Sequence, residues 1–298
     1  MIKALRTPDD RFHNLPCYPF APNYISDLSG YDGLRLHYLD EGPKNSAATF
    51  LCLHGEPTWS YLYRKMIPIF VKSGGRVVAP DLFGFGKSDK PIEDKVYTFN
   101  FHRSSLIEFI KKLDLKNITL VCQDWGGVLG LTIPMEMPER FKRLLIMNTA
   151  FGTGSVNEAF LKWRAFNQSR PDLNVGDLMQ KWTPHLSQAE AAAYSAPFPS
   201  KDFKAGVRTF PNLVPDHAEA PGAEISRKAL LWWKNQWQGQ SFMAIGMKDP
   251  ILGPEVMKPM RSCIKGCPVP FELEQAGHFV QEQGEIVALQ ALENFGGS

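Results

Sequence analysis

Two hydrophobic patterns alternate along most of the chain. Short continuous apolar runs are typical of strands buried on both faces, and apolar residues recurring every three or four positions are typical of amphipathic helices. The continuous runs predict buried strands at 48–53, 76–80, 118–122, 141–147, 241–247 and 270–274, and residues 34–39 alternate as in a half-exposed strand. The helical spacing predicts helices at 61–71, 101–113, 226–237, 255–265 and 285–295. This alternation predicts an α/β fold with a mostly parallel central sheet flanked by helices.

Two segments interrupt the alternation. Residues 1–33 are rich in proline and aromatic residues, and we predict an irregular segment that wraps the surface. Residues 151–225 are polar, aromatic and proline-rich without a strand pattern, which predicts short helices inserted between sheet elements. We therefore expect a core domain formed by 1–150 and 226–298, and a helical cap domain formed by 151–225.

The composition excludes several partners. The chain has 298 residues, of which 44% are hydrophobic, and its 33 basic and 31 acidic residues are well mixed, with a net charge of +2. No basic patch suggests nucleic-acid binding, and no apolar stretch approaches the length of a membrane span. Residues 1–11 lack the apolar region of a signal peptide. We therefore expect no nucleic-acid or membrane partner. Separately, we expect a monomer.

The cysteines and histidines show no metal pattern. The five cysteines are scattered, and Cys52 and Cys122 lie within apolar strands, which favours reduced thiols in the cytoplasm. Cys263 and Cys267 have no second pair nearby to complete a zinc site. The sequence contains no nucleotide-binding fingerprint either. We therefore expect no metal and no cofactor.

The sharpest chemical signal follows the 118–122 strand. The run ends at Asp124, and Trp125, Gly126 and Gly127 come before a helix-compatible stretch. A strand, a sharp turn and a helix form a nucleophile elbow, which presents one side chain above the edge of a parallel sheet. An aspartate there is already an anion at neutral pH and can attack an sp3 carbon without a base. An aspartate at this position could equally be a helix N-cap.

Two further polar residues follow predicted strands. Asp249 comes after 241–247 and His278 after 270–274. The ends of parallel strands meet at one edge of a sheet, so Asp124, Asp249 and His278 are expected to converge. Nucleophile, acid and histidine follow one another in this order in the α/β-hydrolase fold. Some members carry the acid one strand earlier, but this chain has Asn148 there, which favours Asp249.

Four motifs carry a resemblance to a known family. They are His54-Gly55-Glu56-Pro57, Asp81-Leu82-Phe83-Gly84-Phe85-Gly86-Lys87-Ser88, Gln123-Asp124-Trp125-Gly126-Gly127 and Gly277-His278-Phe279. With these motifs the chain resembles the haloalkane dehalogenases over essentially its whole length. It is similar in particular to the subgroup whose best-known member dechlorinates 1,2-dichloroethane.

The resemblance implies a two-step hydrolysis of short haloalkanes to an alcohol, halide and a proton. Asp124 would displace the halide and form an alkyl ester. His278, oriented by Asp249, would then activate the water that hydrolyses the ester. The backbone N–H groups of Glu56 and Trp125 are expected to form the oxyanion hole.

A leaving halide needs hydrogen-bond donors. The indole N–H of Trp125 can supply one. In part of the family an asparagine at the position of Glu56 supplies the second, but an ionised glutamate only accepts. The resemblance favours Trp163 as the second donor, with Trp182 as its competitor.

The cap aromatics predict a small apolar pocket for terminal chloro- or bromoalkanes of a few carbons. Its expected substrate-binding residues are Phe160, Trp182, Phe210 and Pro211.

Two alternatives remain at this point. An epoxide hydrolase would use the same Asp/His/Asp residues, with cap tyrosines that protonate the opening ring. The predicted cap contains one tyrosine, Tyr194, where a pair is usual, which counts against it. A non-catalytic binding protein on this scaffold is a third reading, and the intact nucleophile, acid and base argue against it.

Overall fold

The computed structural model of the chain describes residues 2–296. Met1, Gly297 and Ser298, which the predicted core domain includes, lie outside the described residues. The strands are β1 (Ala4–Leu5), β2 (Asn23–Ile25), β3 (Leu36–Glu41), β4 (Thr49–Leu53), β5 (Arg76–Pro80), β6 (Lys90–Pro91), β7 (Ile118–Cys122), β8 (Phe141–Met147), β9 (Gln240–Gly246) and β10 (Phe271–Leu273).

The helices connect these strands in the order that the hydrophobic pattern predicts. They are α1 (Ile67–Lys72), α2 (Phe99–Lys112), α3 (Trp125–Gly130), α4 (Glu158–Gln168), α5 (Val175–Trp182), α6 (Gln188–Ser195), α7 (Ala205–Leu213), α8 (Ala223–Asn235), α9 (Pro254–Arg261) and α10 (Gly284–Asn294). Short 3-10 helices cover Asp9–Phe12, Ser60–Tyr63, Asp94–Val96, Pro134–Glu136, Pro138–Arg140, Lys201–Lys204 and Val280–Gln283. The predicted helix at 61–71 is thus a 3-10 turn followed by the shorter α1.

Eight strands form one sheet in the order β10-β9-β8-β7-β4-β5-β3-β2. β3 runs antiparallel to β5 and β2, and the other neighbours are parallel. The central strands β4 and β7 are buried along their whole length, as their continuous apolar runs predict. The mostly parallel sheet is confirmed. Its parallel strands end at one edge, where the polar residues of interest follow them.

The prediction that residues 1–33 are wholly irregular is wrong. β1 pairs with β6 in a separate two-stranded sheet, and β2 pairs with β3 at the edge of the main sheet. Strands of two and three residues are too short to produce a recognisable hydrophobic period. Contacts with the rest of the chain stabilise them instead; the Arg35 guanidinium, for example, lies 4.0 Å from the ring centre of Tyr24.

The segment between β8 and α8 contains α4 to α7 and, within residues 2–296, no strand. A buried ionic cluster joins this segment to the sheet domain. The Arg64 guanidinium donates to both carboxylate oxygens of Glu282, at 2.6 and 2.8 Å, and to Glu190 of α6 at 2.8 Å. The Tyr194 hydroxyl, also in α6, donates to Glu282. Because Arg64 and Glu282 are buried, these directional contacts anchor α6 to the core.

Candidate active site

Asp124 occupies the apex of the turn between β7 and α3. Its φ of 49° and ψ of −127° are rarely adopted by a residue with a side chain, as expected of a strained nucleophile elbow. The Asp124 carbonyl accepts hydrogen bonds from the Gly127 and Val128 N–H groups, both at 2.9 Å, and from the Thr149 hydroxyl at 2.7 Å. The backbone contacts therefore hold the turn in this conformation.

The close approach of β4 requires a glycine after Asp124. A Cβ atom on Gly126 would lie 2.0 Å from the Leu53 carbonyl oxygen, so no side chain fits there. On the other side, a Cβ atom on Gly55 would lie 2.2 Å from Oδ1 of Asp124. Both glycines belong to the motifs identified in the sequence, and both leave room for the elbow and its carboxylate.

The Asp124 carboxylate does not cap α3, because it accepts no hydrogen bond from the first turn of that helix. Its Oδ1 instead accepts from the Glu56 backbone N–H at 2.8 Å. Its Oδ2 lies 3.5 Å from Nε2 of His278. The N-cap alternative therefore does not apply, and the carboxylate faces the groups expected of a nucleophile.

His278 and Asp249 form a buried pair beside the elbow. Nδ1 of His278 lies 2.7 Å from Oδ2 of Asp249. Asp249 is fixed in turn by the N–H groups of Ile251 and Leu252, which donate to Oδ1 at 2.8 and 3.1 Å, and by the Asn148 amide, which donates to Oδ2 at 2.9 Å. Asn148, at the end of β8, therefore supports the acid rather than replacing it.

The charges around His278 and Asp249 shift the pKa values of both residues. Burial alone would lower the pKa of His278, but the carboxylates of Asp249 and Asp124 outweigh burial and raise it to about 10. Burial would raise the pKa of Asp249, but His278 and the hydrogen-bond donors outweigh it and lower the value. The two residues therefore favour an imidazolium–carboxylate pair.

Gln123 is a neighbour of His278 to which the sequence assigns no role. Its amide Nε2 donates to the His278 carbonyl at 3.1 Å and lies 2.9 Å from the His278 Nε2. It precedes Asp124 in the quoted elbow motif, but nothing in the motif indicates which way its side chain points. The contact therefore depends on the tertiary structure.

The surroundings of Glu56 oppose ionisation of its carboxyl. Burial, and then the Asp124 charge, raise the pKa of its carboxyl well above the usual value. Its Oε1 is buried and has no hydrogen-bond partner within residues 2–296. A neutral carboxyl is therefore favoured here, and it carries an O–H donor that a carboxylate lacks.

A cavity of about 570 Å³ opens beside these groups. One side includes Glu56, Asp124, Trp125 and His278, and we call it the core side. The other side, which comes from residues 151–225 and which we call the cap side, includes Phe160, Trp163, Trp182 and Pro211. Part of its wall is formed by α9, which the sequence does not associate with the site.

Phe210 does not line the cavity, contrary to its predicted role. Its ring is fully buried and packs edge-on against Trp125, with ring centres 4.9 Å apart. It also contacts Phe85 at 4.7 Å and His102 at 4.6 Å. Its neighbour Pro211 does reach the cavity, because adjacent residues of α7 point in different directions. Phe210 therefore supports Trp125 from behind.

Three of the cavity residues are tryptophans whose indole N–H groups have no protein acceptor among the described residues: Trp125, Trp163 and Trp182. By contrast, the buried Trp59 and Trp233 donate to backbone carbonyls at 3.2 and 2.7 Å. Indole N–H groups usually find a partner when buried. Those at the cavity are therefore available to a ligand.

The two candidate cap tryptophans contact each other. The ring centres of Trp163 and Trp182 are 5.9 Å apart, and Trp182 lies 5.9 Å from the His278 ring. Trp163 also stacks on Phe166. Both tryptophans therefore lie at the site, and these contacts do not distinguish which of them is the second halide donor.

The cap tyrosine argues against epoxide hydrolysis. Tyr194 is fully buried and donates to Glu282, and it is not among the cavity residues. It cannot protonate an opening ring at Asp124 from this position.

Within residues 2–296, no group of three or more His, Cys, Asp or Glu side chains could hold a metal ion. None of the described helices is long and apolar enough to cross a membrane.

The strained elbow aspartate, the histidine and the acid define an α/β hydrolase, and residues 48–285 match the family model described as "alpha/beta hydrolase fold". Among similar proteins, a haloalkane dehalogenase from Psychrobacter cryohalolentis is 45% identical over 96% of both chains. One from Mycolicibacterium paratuberculosis is 42% identical over 94% of both. The chain belongs to the haloalkane dehalogenase family.

The solved structures agree with this assignment. The tetrameric haloalkane dehalogenase DpaA from Paraglaciecola agarilytica NO2 is 57% identical, with a TM-score of 0.97 over 98% of both chains. DbeA from Bradyrhizobium elkani is 23% identical, with a TM-score of 0.76 over 94% of this chain and 100% of its own, and supports the fold alone.

Proposed function

We propose that this protein hydrolyses the carbon–halogen bond of short haloalkanes through a covalent ester on Asp124. The observation that carries the proposal is the placement of the Asp124 carboxylate. It faces the cavity between the Glu56 N–H, at 2.8 Å, and the His278 imidazole, at 3.5 Å. A carboxylate in this position needs no base to attack carbon.

In the first step, a carboxylate oxygen of Asp124 bonds to the halogen-bearing carbon as the carbon–halogen bond breaks. The halide leaves with the bonding electron pair. We assign the Trp125 and Trp163 indole N–H groups as its donors, because desolvated donors stabilise developing charge strongly. Phe160, Trp182 and Pro211 are proposed to contact the alkyl group.

In the second step, a water molecule attacks the ester carbonyl and passes a proton to Nε2 of His278. We assign the backbone N–H groups of Glu56 and Trp125 as the donors that stabilise the negative oxygen of the tetrahedral intermediate. Collapse of the tetrahedral intermediate breaks the bond to the alkoxy oxygen, which takes a proton from the imidazolium and leaves as the alcohol. The remaining acid loses the second proton of the water to solvent, and the carboxylate is regenerated. Haloalkane and water thus yield alcohol, halide and a proton.

Ester formation also prepares His278 to act as a base. The pKa of about 10 depends on two carboxylates, those of Asp249 and Asp124. Alkylation removes the charge of Asp124, so the pKa of the imidazole falls as the ester forms. This change favours the neutral form of the base at the step that requires it.

We further propose that 151–225 is a cap domain that shields this chemistry from solvent, and that the protein is cytoplasmic. The expected monomer stays a prediction. DpaA, a relative, is described as tetrameric. Light scattering coupled to size-exclusion chromatography distinguishes a monomer from a tetramer.

The variant His278→Gln tests the two-step mechanism. The first step needs no base, so a brominated substrate should give one equivalent of halide per protein without turnover. The alkyl ester should then appear by mass spectrometry on the peptide that contains Asp124. The matched control Asp124→Ala should give neither burst nor adduct. Free turnover by His278→Gln, or no burst with any haloalkane, would contradict the mechanism.

A further inference from the structure

The Gln123 side chain contacts the nitrogen atom that must accept a proton from water. Gln123 is fully buried, and it follows the last residue of β7 and precedes Asp124. Its amide Nε2 lies 2.9 Å from Nε2 of His278, and the same amide nitrogen donates to the His278 carbonyl at 3.1 Å. The proposed function uses this imidazole nitrogen as the base and gives Gln123 no part in the reaction.

The His278 carbonyl determines which end of the Gln123 amide faces the imidazole. With the amide oxygen and nitrogen exchanged, Oε1 would lie 3.1 Å from another acceptor, so Nε2 is the atom that fits. The carbonyl uses one of the two hydrogens on this nitrogen. Nε2 of His278 can accept the second hydrogen only when it carries no proton itself. Oε1 of Gln123 has no partner within residues 2–296, so no described residue favours the opposite orientation.

Three titratable groups face the same imidazole. Asp249 lies 2.7 Å from Nδ1 and can accept its proton in either charge state of the ring. Asp124 lies 3.5 Å from Nε2, and its carboxylate favours a proton on that nitrogen. Glu56 also faces His278, but its raised pKa favours an uncharged carboxyl. While Asp124 is a carboxylate, it and the Gln123 amide therefore favour opposite protonation states of Nε2.

We propose that Gln123 is a positioning residue that favours the neutral imidazole of His278, with its proton on Nδ1, once the ester has formed. This inference rests on the proposed function. Esterification removes the charge of Asp124, and the amide N–H then remains beside Nε2 and favours its unprotonated form. The attacking water replaces the amide at the lone pair of Nε2, while the amide keeps its hydrogen bond to the His278 carbonyl.

The test is the pH dependence of the second step in the variant Gln123→Met, which keeps an unbranched buried side chain but has no N–H donor. Rapid-quench kinetics with 1,2-dibromoethane separate halide release in the first turnover from hydrolysis of the ester. The pH midpoint of ester hydrolysis should rise by about one pH unit, because the net contribution of one hydrogen bond corresponds to about that shift. Well below the midpoints hydrolysis should slow about tenfold, and above them it should match the unmodified protein. Halide release should not change, since that step needs no base.

Gln281→Met is the matched control. Gln281 is also fully buried and follows His278 closely in the chain, but its amide donates to the Tyr63 hydroxyl at 3.5 Å. Within residues 2–296 it makes no hydrogen bond to the imidazole, so the midpoint should not move. Gln123→Glu is a second variant of the same length. Its carboxylate can accept from a protonated Nε2, so the midpoint should rise further than in Gln123→Met.

Three results would overturn the inference: an unchanged midpoint in Gln123→Met, a loss of ester hydrolysis that is equal at every pH, or the same shift in Gln281→Met. A midpoint in Gln123→Glu at or below that of the unmodified protein would do the same, and this measurement decides the matter if Gln123→Met does not fold. Failure of the proposed function is distinguishable, because the unmodified protein would then release no halide in the first turnover.

Discussion

The core side and the cap side of the cavity hold their side chains differently. Asp124 and Asp249 are each fixed by backbone N–H groups, at 2.8 Å from Glu56 and from Ile251, and His278 is fixed by Asp249. The side chains of Trp163 and Trp182 pack against neighbouring rings, and no described residue accepts their N–H groups. Hydrogen bonds are directional and ring packing is much less so. The core side therefore fixes the reaction geometry, while the cap side can adapt to the ligand.

The largest effect is expected on the core side, from Asp124→Ala. Loss of the nucleophile removes the covalent route, so steady-state halide release should fall by roughly 10⁵-fold or more, as when other catalytic nucleophiles are removed. Halide titration during incubation with 1,2-dibromoethane measures this. The protein should fold, because the Asp124 carboxylate does not cap α3. Residual activity within tenfold of the unmodified protein would contradict the nucleophile assignment.

The variant Asp249→Asn should have the next largest effect. The amide cannot balance an imidazolium and can select the wrong histidine tautomer, which in serine proteases costs about 10⁴-fold. We expect ester hydrolysis to slow by about 10³- to 10⁴-fold while halide release in the first turnover stays near normal. Rapid-quench kinetics separate the two steps. Equal slowing of both would indicate that Asp249 acts on the alkylation step or on folding.

The two sides also differ in how far sequence predicts them. β5, β7 and β8 have the predicted bounds, since strands buried on both faces leave continuous apolar runs. Asp124, Asp249 and His278 could be identified because strand ends converge at one sheet edge. Position relative to a strand thus carries the information needed for the core side.

The sequence carries no comparable signal for the burial of individual side chains or for packing on the cap side. Phe210 and Pro211 are adjacent in sequence, yet only Pro211 reaches the cavity, because the orientation of α7 depends on contacts with distant residues. The raised pKa of the Glu56 carboxyl depends on its burial near Asp124, which a local motif does not reveal. The contribution of α9 to the cavity is missed because its helical spacing is the same as that of any core-facing helix.

Exchange of the cap tryptophans tests the adaptable side. Trp163→Phe should keep most of the apolar surface while removing an N–H donor, so carbon–halogen cleavage should slow by roughly tenfold or more. Quenching of tryptophan fluorescence by added halide should weaken in parallel. Trp182→Phe is the matched control, and it should change the cleavage rate and the fluorescence quenching less than Trp163→Phe does. If Trp182→Phe has the larger effect on both, the second donor is Trp182.

The smallest expected effect is a pH-dependent change in stability confined to the core side. The pKa of His278 is about 10 in the folded protein, through Asp249 and Asp124, and near 6.5 when unfolded. A raised pKa stabilises the folded state fully below about pH 6.5, and this contribution is lost as pH rises through about 10.

The unmodified protein should therefore lose thermal stability between about pH 6.5 and 10, and His278→Gln should lose less over the same range. Thermal unfolding midpoints across that range measure the difference, which should amount to a few degrees. Other titrating groups, including Lys90 with a pKa lowered by burial to about 7, are common to both proteins and cancel in the comparison. Trp163→Phe should keep the unmodified slope, because the cap side contributes no titrating group to the pair. Parallel slopes for the unmodified protein and His278→Gln would show that the His278–Asp249 pair does not stabilise the fold.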